Sequence, residues 1–462
     1  MYRTSAIVSL LALVLLVPGA ALAVNTGSAD FTNYVSAGDS LTAGFVSGSL
    51  IDTSQQHDYP SIIASQAGVA DFEQPLVSPP GIPNVLHLVG LFPAVIVPEP
   101  GPQGHPENLN LPRLYNNLAV PGETAGTMIT VKSDVPSTGH PGLHDLILRG
   151  FGTQLQEVIG AKPTFVTLWI GNNDALGAAT TGDVTKLTPL PVFTQEYQTI
   201  VGAIASMTHA KMAIANIPDV TSIPFVTTIP TILVDPTTNQ PVIFNGHPVP
   251  LIGPKGLLGP SDHVLLSAGP DLAKGLGIPR PIGTGLPLPA SDVLLAADAA
   301  TIDNQIAGYN AVIQATAQQV GAAFVDANAL LKQLATTGIE VGGIPFSAAF
   351  LTGGVFAYDG VHPTHFGYAF VANAFIAAIN EKFGADIPPA DLSAAMFDES
   401  IGNPMAAAAA ASRESSAASS SSAASPMVWT QYLFTAEAMR NLESVLVTPG
   451  GTGSGGHHHR HH

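Results

Sequence analysis

The chain contains no cysteine. That absence excludes disulfides, thiolate metal sites, a cysteine nucleophile and a lipidated cysteine behind an export signal, and it leaves stability to packing. Positive charge is scarce as well. Only 15 Lys and Arg stand against 33 Asp and Glu, a formal net charge of −18, so there are too few cations to clamp a phosphate backbone and nucleic acid is not an expected partner. Charged residues of both signs total 10% of the chain, and the acidity therefore bears on solubility more than on a specific partner. Long apolar runs are also missing. The single N-terminal one, Ala6 to Val17, is cut by Pro18 and Gly19 and falls short of the roughly 20 residues a membrane span needs. With Arg3 before it and Ala21-Leu22-Ala23 after it, this segment reads as an export signal over residues 1–23. A mature chain starting near Val24, secreted or periplasmic, is the expectation.

What the chain does hold is organised around residues 31–44, FTNYVSAGDSLTAG. A strand-like run through Tyr34, Val35 and Ala37 stops at Gly38, Asp39 and Ser40, and Leu41 to Gly44 are suited to opening a helix. Ser40 is thereby expected at a strand-to-helix turn, which lifts a hydroxyl clear of a sheet edge and aims backbone N–H groups at whatever it attacks. The same residues also suit an ordinary turn, with Gly supplying a positive φ and Asp or Ser an N-cap.

Downstream, the patterning alternates between strand and helix. Helices are predicted over Tyr59–Ala70, Leu143–Ile159, Glu196–Thr208, Ser291–Val320 and Thr364–Phe383, the last N-capped by Thr364 and ended at Gly384. Apolar runs at Thr164–Ile170 and Met212–Ile217 read as buried strands, with Arg113–Val120 as another candidate and Ala323–Val325 as a last short one. Alternation of this kind implies a mostly parallel sheet covered on both faces, with function at the carboxyl ends of the strands. Two Pro- and Gly-rich stretches, about 71–112 and 220–289, read as insertions, the second mostly extended. The first carries LHLVGLFPAVIV, which suits either a cover over an active-site mouth or an irregular connection packed on the core. Residues 24–404 are expected to form the main domain and 405–462 a tail. In that tail Met405–Ser425 is Ala/Ser low complexity, Trp429–Leu446 suits an isolated amphipathic helix, and the His-rich end after GTGSGG suggests an expression tag. Such a tail is expected to be dispensable.

The chemistry gathers at turns. Ser40, Gly122 and Asn173 follow predicted strands, and a later loop supplies Asp359 and His362. A serine hydroxyl needs an adjacent base to attack a carbonyl, and an imidazole base needs a partner that fixes its tautomer and stabilises its cation. The blocks GDSL (Gly38–Leu41), NLAVPG (Asn117–Gly122), GNND (Gly171–Asp174) and DGVH (Asp359–His362) resemble, in order, the four motif blocks of the GDSL lipase/esterase family, the SGNH hydrolases. The resemblance spans about Phe31 to Phe383 and leaves both insertions, the linker and the tail outside it.

That resemblance implies an α/β fold of the three-layer α/β/α, flavodoxin-like kind, with about five mostly parallel strands. It implies a serine esterase or lipase that hydrolyses carboxylic esters through an acyl-enzyme, without metal or organic cofactor, on a small-molecule or lipid ester. Ser40 would be the nucleophile, His362 the base and later acid, and Asp359 the group orienting His362. The oxyanion donors would be the backbone N–H groups of Ser40 and Gly122 and the side-chain amide of Asn173. Asn172 would fill a variable position. His365 is an alternative base, disfavoured because it falls inside the predicted helix; Asp174 suits an N-cap, Asp219 a turn, and Phe165 and Trp169 the core. The apolar insertions favour a hydrophobic ester, with Leu91 and Phe92 expected at the acyl site. A carbohydrate O-acetylesterase is the alternative among enzymes, although aromatic platforms are thinly supplied at 6% of the chain. A non-catalytic surface-binding protein on the same fold is the alternative outside them, and four intact blocks weigh against it.

Overall fold

The computed structural model describes residues 24–91, 94–236, 238–396 and 432–446. The segment read as an export signal, the Ala/Ser segment, the His-rich end and Phe92 lie outside the described residues. In chain order, the strands that position the site are β1 (Tyr34–Gly38), a hairpin of β2 (Leu86–Leu91) and β3 (Ala94–Pro98), then β4 (Phe165–Trp169), β5 (Lys211–Ala215), β6 (Ala323–Val325) and the C-terminal β7 (Tyr432–Phe434). The helices are α1 (Tyr59–Gln66), α2 (Ala125–Thr130), α3 (Leu143–Leu148), α4 (Gln154–Gly160), α5 (Asn173–Thr181), α6 (Leu190–Thr208), α7 (Ala296–Val320), α8 (Ala327–Thr336), α9 (His365–Phe383) and α10 (Ala436–Leu446).

Strands β1, β4, β5 and β6 form the central sheet in that spatial order, every pairing parallel. Period-two alternation sorts their side chains into two layers. Val35, Ala37, Val166, Leu168, Met212 and Ile214 face one core, where α4, α6 and α7 bring Val158, Tyr197, Ile200, Ile306 and Ile313. Tyr34, Phe165, Trp169, Ala213, Ala215 and Val325 face the other, against Tyr59 and Ile63 of α1 and Tyr368, Phe375 and Ile379 of α9. Each sheet face is thus covered by helices, which is the expected three-layer arrangement.

The sheet has four strands rather than about five. The segment predicted as a further strand, Arg113–Val120, does run beside β1: Ser36 donates to the Asn116 carbonyl, and Leu118 and Val120 donate to Ser36 and Gly38. A regular ladder does not form because the backbone N–H groups of both Asn116 and Asn117 turn to the Glu73 carbonyl, while the Asn116 amide takes the Tyr34 carbonyl. Side-chain chemistry displaces backbone pairing there, a competition that Asn favours.

Other expectations are also corrected. The helix predicted over Leu143–Ile159 is two helices, α3 and α4. Arg149 stops the first at φ 51 while its guanidinium donates to the carbonyls of Leu109, Leu111 and Arg113, and Thr153 then N-caps the second. Leu41 to Gly44 make one turn and no helix, closed where Phe45 donates to the Ser40 carbonyl and Gly44 takes φ 74. Within the run LHLVGLFPAVIV, β2 and β3 pair antiparallel rather than forming an irregular connection. Residues 220–289 hold short two-residue pairings joined by turns, with short helices at Pro224–Thr227 and Gly269–Ala273.

The C-terminal helix is not isolated. β7 adds to the hairpin as a parallel partner of β3, and Thr435 caps α10 by accepting from Ala438. Ala438, Met439 and Leu442 are then buried in the same cluster as Leu86 and Ile96. Among the described residues, no helix is long and apolar enough to cross a membrane.

Candidate active site

The carboxyl end of β1 delivers Ser40. Gly38 has φ 154, and a Cβ there would stand 2.2 Å from the Trp169 carbonyl oxygen, so only glycine lets β1 approach β4 this closely. The Gln154 side chain clamps that glycine from the far side, accepting from its N–H at 3.1 Å and donating to its carbonyl at 2.9 Å. Asp39 caps the following turn by accepting from Leu41, and its other oxygen accepts from the Asn172 amide at 2.8 Å. Burial pushes the Asp39 carboxyl up to about 7 against the pull of those two hydrogen bonds. Asn117 ties the turn down from outside, donating to the Thr42 carbonyl and to the carboxylate of buried Asp58.

His362 meets Ser40 from the loop before α9. Its Nε2 lies 2.8 Å from Ser40 Oγ, and its Nδ1 lies 2.9 Å from Asp359 Oδ2. Asp359 is fully buried yet richly supplied with donors. Its Oδ1 accepts from the backbone of Val361 and His362, and its Oδ2 also accepts from Gly48. Burial pushes this carboxyl up, but the His362 charge and the hydrogen bonds from His362 and Val361 outweigh it and hold the group below its usual value. An ionised Asp359 takes the Nδ1 proton as its hydrogen-bond donor. That tautomer leaves Nε2 free to accept from the Ser40 hydroxyl. The Phe45 ring closes over the imidazole with centroids 4.9 Å apart. His365, the alternative base, instead stacks on His57 at 4.4 Å as the first residue of α9.

The remaining donors come from two neighbouring turns. Gly122 sits at φ 85 behind Pro121, and among the described residues the N–H groups of Ser40 and Gly122 donate to no protein acceptor. The Asn173 amide donates to the Glu123 carbonyl at 2.9 Å, which places it beside Gly122 with one N–H spoken for and the other available. Asp174 accepts from Ala125 at 3.0 Å and so pins the start of α2 to the start of α5. Asn172 does more than fill a variable position, because it is the hydrogen-bond partner that steadies Asp39. Gln154 carried no motif signal, and Asn172, though inside the GNND block, carried none that pointed to its contact with Asp39. Asp219 accepts from Thr221 as a turn former, and Phe165 and Trp169 are core residues, Trp169 donating to the Asn216 carbonyl.

Two recesses flank this cluster. A cleft of about 580 Å³ opens at Gly122, with Ile82, Pro83, Leu109 and Leu143 on its apolar side and Gln103 and His140 on its polar side. Leu41, Val361 and Pro363, the chain neighbours of Ser40 and His362, line an apolar slot of about 80 Å³ together with Leu334 and Phe370. Among the described residues no cluster of His, Asp and Glu has metal-site geometry.

The sequence matches the profile of the GDSL-like lipase/acylhydrolase family over residues 34–375. No curated protein matches the chain. Among solved structures, it is similar to an acetylxylan esterase from Geobacillus stearothermophilus at 13% identity and TM-score 0.33, covering 76% of this chain and 96% of that one. It is similar to a lipase/acylhydrolase from Enterococcus faecalis at 13% identity and TM-score 0.32, covering 78% and 100%. An alpha/beta hydrolase from the metagenome of Lake Arreo, Spain, is similar at 14% identity and TM-score 0.33, covering 76% and 96%.

Proposed function

The chain belongs to the GDSL-like lipase/acylhydrolase family, and on that premise we propose that it is an exported serine esterase of hydrophobic carboxylic esters. The observation that carries this reading is the unbroken hydrogen-bonded series from Ser40 Oγ through His362 to buried Asp359. Ser40 Oγ attacks the ester carbonyl while its proton passes to His362 Nε2, and Asp359 stabilises the imidazolium that results. Negative charge collects on the carbonyl oxygen, where the N–H groups of Ser40 and Gly122 and the Asn173 amide receive it. Collapse of the adduct breaks the ester C–O bond, and His362 returns its proton to the departing alcohol. Water then adds to the acyl-enzyme by the same route, and Ser40 is regenerated.

The apolar wall of the cleft at Gly122 and the apolar slot beside Leu41 favour an aliphatic acyl group over an acetylated sugar. Among the described residues no Phe, Tyr or Trp lines that cleft to stack on a pyranose. Assay of the purified protein and of Ser40→Ala on p-nitrophenyl esters of short, medium and long chain, alongside acetylated xylan, tests the reading. Turnover of the aliphatic esters that Ser40→Ala abolishes supports it. Faster release of acetate from xylan favours the carbohydrate esterase, and an inactive wild-type protein favours a binding role. Export is tested separately, by the N-terminal mass of protein recovered outside the cytoplasm, with a chain starting near Val24 expected.

A further inference from the structure

Glu123 follows the oxyanion glycine directly, and its side chain is fully buried without a well-aligned hydrogen bond to either carboxylate oxygen among the described residues. A buried carboxylate left in that condition is costly unless a cation answers it. The cation is His144 of α3, whose Nε2 lies 3.2 Å from Glu123 Oε2 in the geometry of an ion pair. His144 is held in turn by Asp134, which accepts from its Nδ1 at 2.8 Å and from its backbone N–H at 3.0 Å. Asp145 completes the scaffold by accepting from the backbone of Asp134 and Gly142.

We propose that this Glu123–His144–Asp134 chain is a positioning device for the oxyanion site, clamping the Gly122 turn through the Glu123 side chain while Asn173 holds the Glu123 carbonyl. The inference rests on the esterase reading of Ser40, Gly122 and Asn173. Gly122 is held at φ 85 between two anchors on the next residue: the Glu123 carbonyl, fixed by Asn173, and the Glu123 side chain, fixed by His144. Loss of the second anchor frees the peptide that carries the Gly122 N–H to rotate away from the developing charge. Such a displacement weakens an interaction made in the transition state and leaves ground-state binding alone. Burial pushes the His144 imidazole down, but Asp134 and Glu123 outweigh it and raise it to about 10, so His144 carries its charge at neutral pH, while burial raises the Glu123 carboxyl against the pull of His144. Its members are separate from the reacting atoms, which makes them positioning residues and not catalytic ones.

The test compares His144→Gln, Glu123→Gln and the double variant on one p-nitrophenyl ester, with active sites counted by a fluorophosphonate that labels Ser40. His144→Gln should lower kcat per labelled site at least tenfold with KM changed less than twofold. Affinity for an alkyl boronic acid, whose tetrahedral anion mimics the transition state, should weaken in parallel. Glu123→Gln keeps a side-chain oxygen that can accept from His144 Nε2, which preserves the anchor, and should cost less than threefold. The double variant removes the unanswered buried charge but not the loss of the anchor, so it should regain thermal stability while kcat per labelled site stays near that of His144→Gln. A drop in melting temperature with kcat and boronate affinity unchanged would overturn the proposal, as would a double variant whose kcat returned to the wild-type value. Should His144→Gln fail to fold, Asp134→Asn carries the test, because it loosens His144 without stranding Glu123; a several-fold loss of kcat supports the clamp and no loss overturns it. Wild-type activity that Ser40→Ala abolishes keeps the esterase reading intact whichever way the clamp is decided.

Discussion

At the scale of single residues, Ser40, His362 and Asp359 depend on one another, because each hydrogen bond in the series fixes the state of the next. Replacing Ser40 or His362 alone should therefore cost nearly as much kcat as replacing both, and additive losses in single and double variants would show that they do not act as a unit. The two asparagines of GNND separate by partner. Asn173→Ala removes an amide aimed beside Gly122 and should lower kcat about a hundredfold to a thousandfold, roughly 3 to 4 kcal/mol of transition-state stabilisation, with KM little changed. Asn172→Ala strips buried Asp39 of its side-chain donor and should lower the melting temperature as well as kcat, by about 1 to 3 kcal/mol in stability. Steady-state kinetics and thermal melting of the two variants check both expectations; a stable, fully active Asn172→Ala would show that the Asp39 contact is not needed. Such contacts were invisible in the sequence. Gln154 and Asn172 are short-range partners of backbone and carboxylate atoms that only the fold brings near.

At the scale of elements, what was legible followed from pattern. The buried strand β4 reads directly off Phe165 to Trp169, because apolar residues on both faces leave one arrangement, and α9 shows its cap at Thr364 and its stop at Gly384. The motif order was legible for the same reason that the turns are, since Gly38 and Gly122 occupy backbone conformations that other residues resist. What was not legible depends on long-range competition. Arg113–Val120 has a strand-like composition, yet its asparagines bond to Glu73 and Tyr34. The C-terminal helix looked isolated because nothing near it in sequence offers a partner. Its partner is the β2–β3 hairpin, and Leu442 packs over Gly48, whose N–H holds Asp359. A chain ending at Met396 should therefore lose stability, by on the order of 2 to 5 kcal/mol from the exposed Leu86, Ile96 and their neighbours. Its kcat should fall too as the Gly48 turn loosens. Melting and kinetics of that truncated chain decide it, and full retention of both would show the tail to be a passenger.

At the scale of the whole molecule, buried acids shape the response to pH. Burial raises Asp39 and Asp174 to about 7 and Asp58 to about 8, so the folded state holds these protons more tightly than the unfolded chain does. Stability from these groups falls as pH rises from about 4 to about 8. The raised His144 adds in the same direction, its contribution complete below about 6.5 and lost as pH rises through about 10. Asp359 acts oppositely, stabilising above about 4 and losing its contribution as pH falls through its lowered value. The melting temperature should accordingly be highest near pH 5 and decline toward pH 9; a rise over that interval would show those carboxylates to be ionised in the folded state. The pairing of β7 with β3 joins opposite ends of the chain, and this has a consequence in time. A ribosome makes the hairpin early and its third strand last, so throughout synthesis the hairpin waits with an open edge, which is a template for pairing with other chains. A synthetic peptide of residues 432–446, supplied during refolding of the chain ending at Met396, should fill that edge from outside and raise the yield of soluble protein.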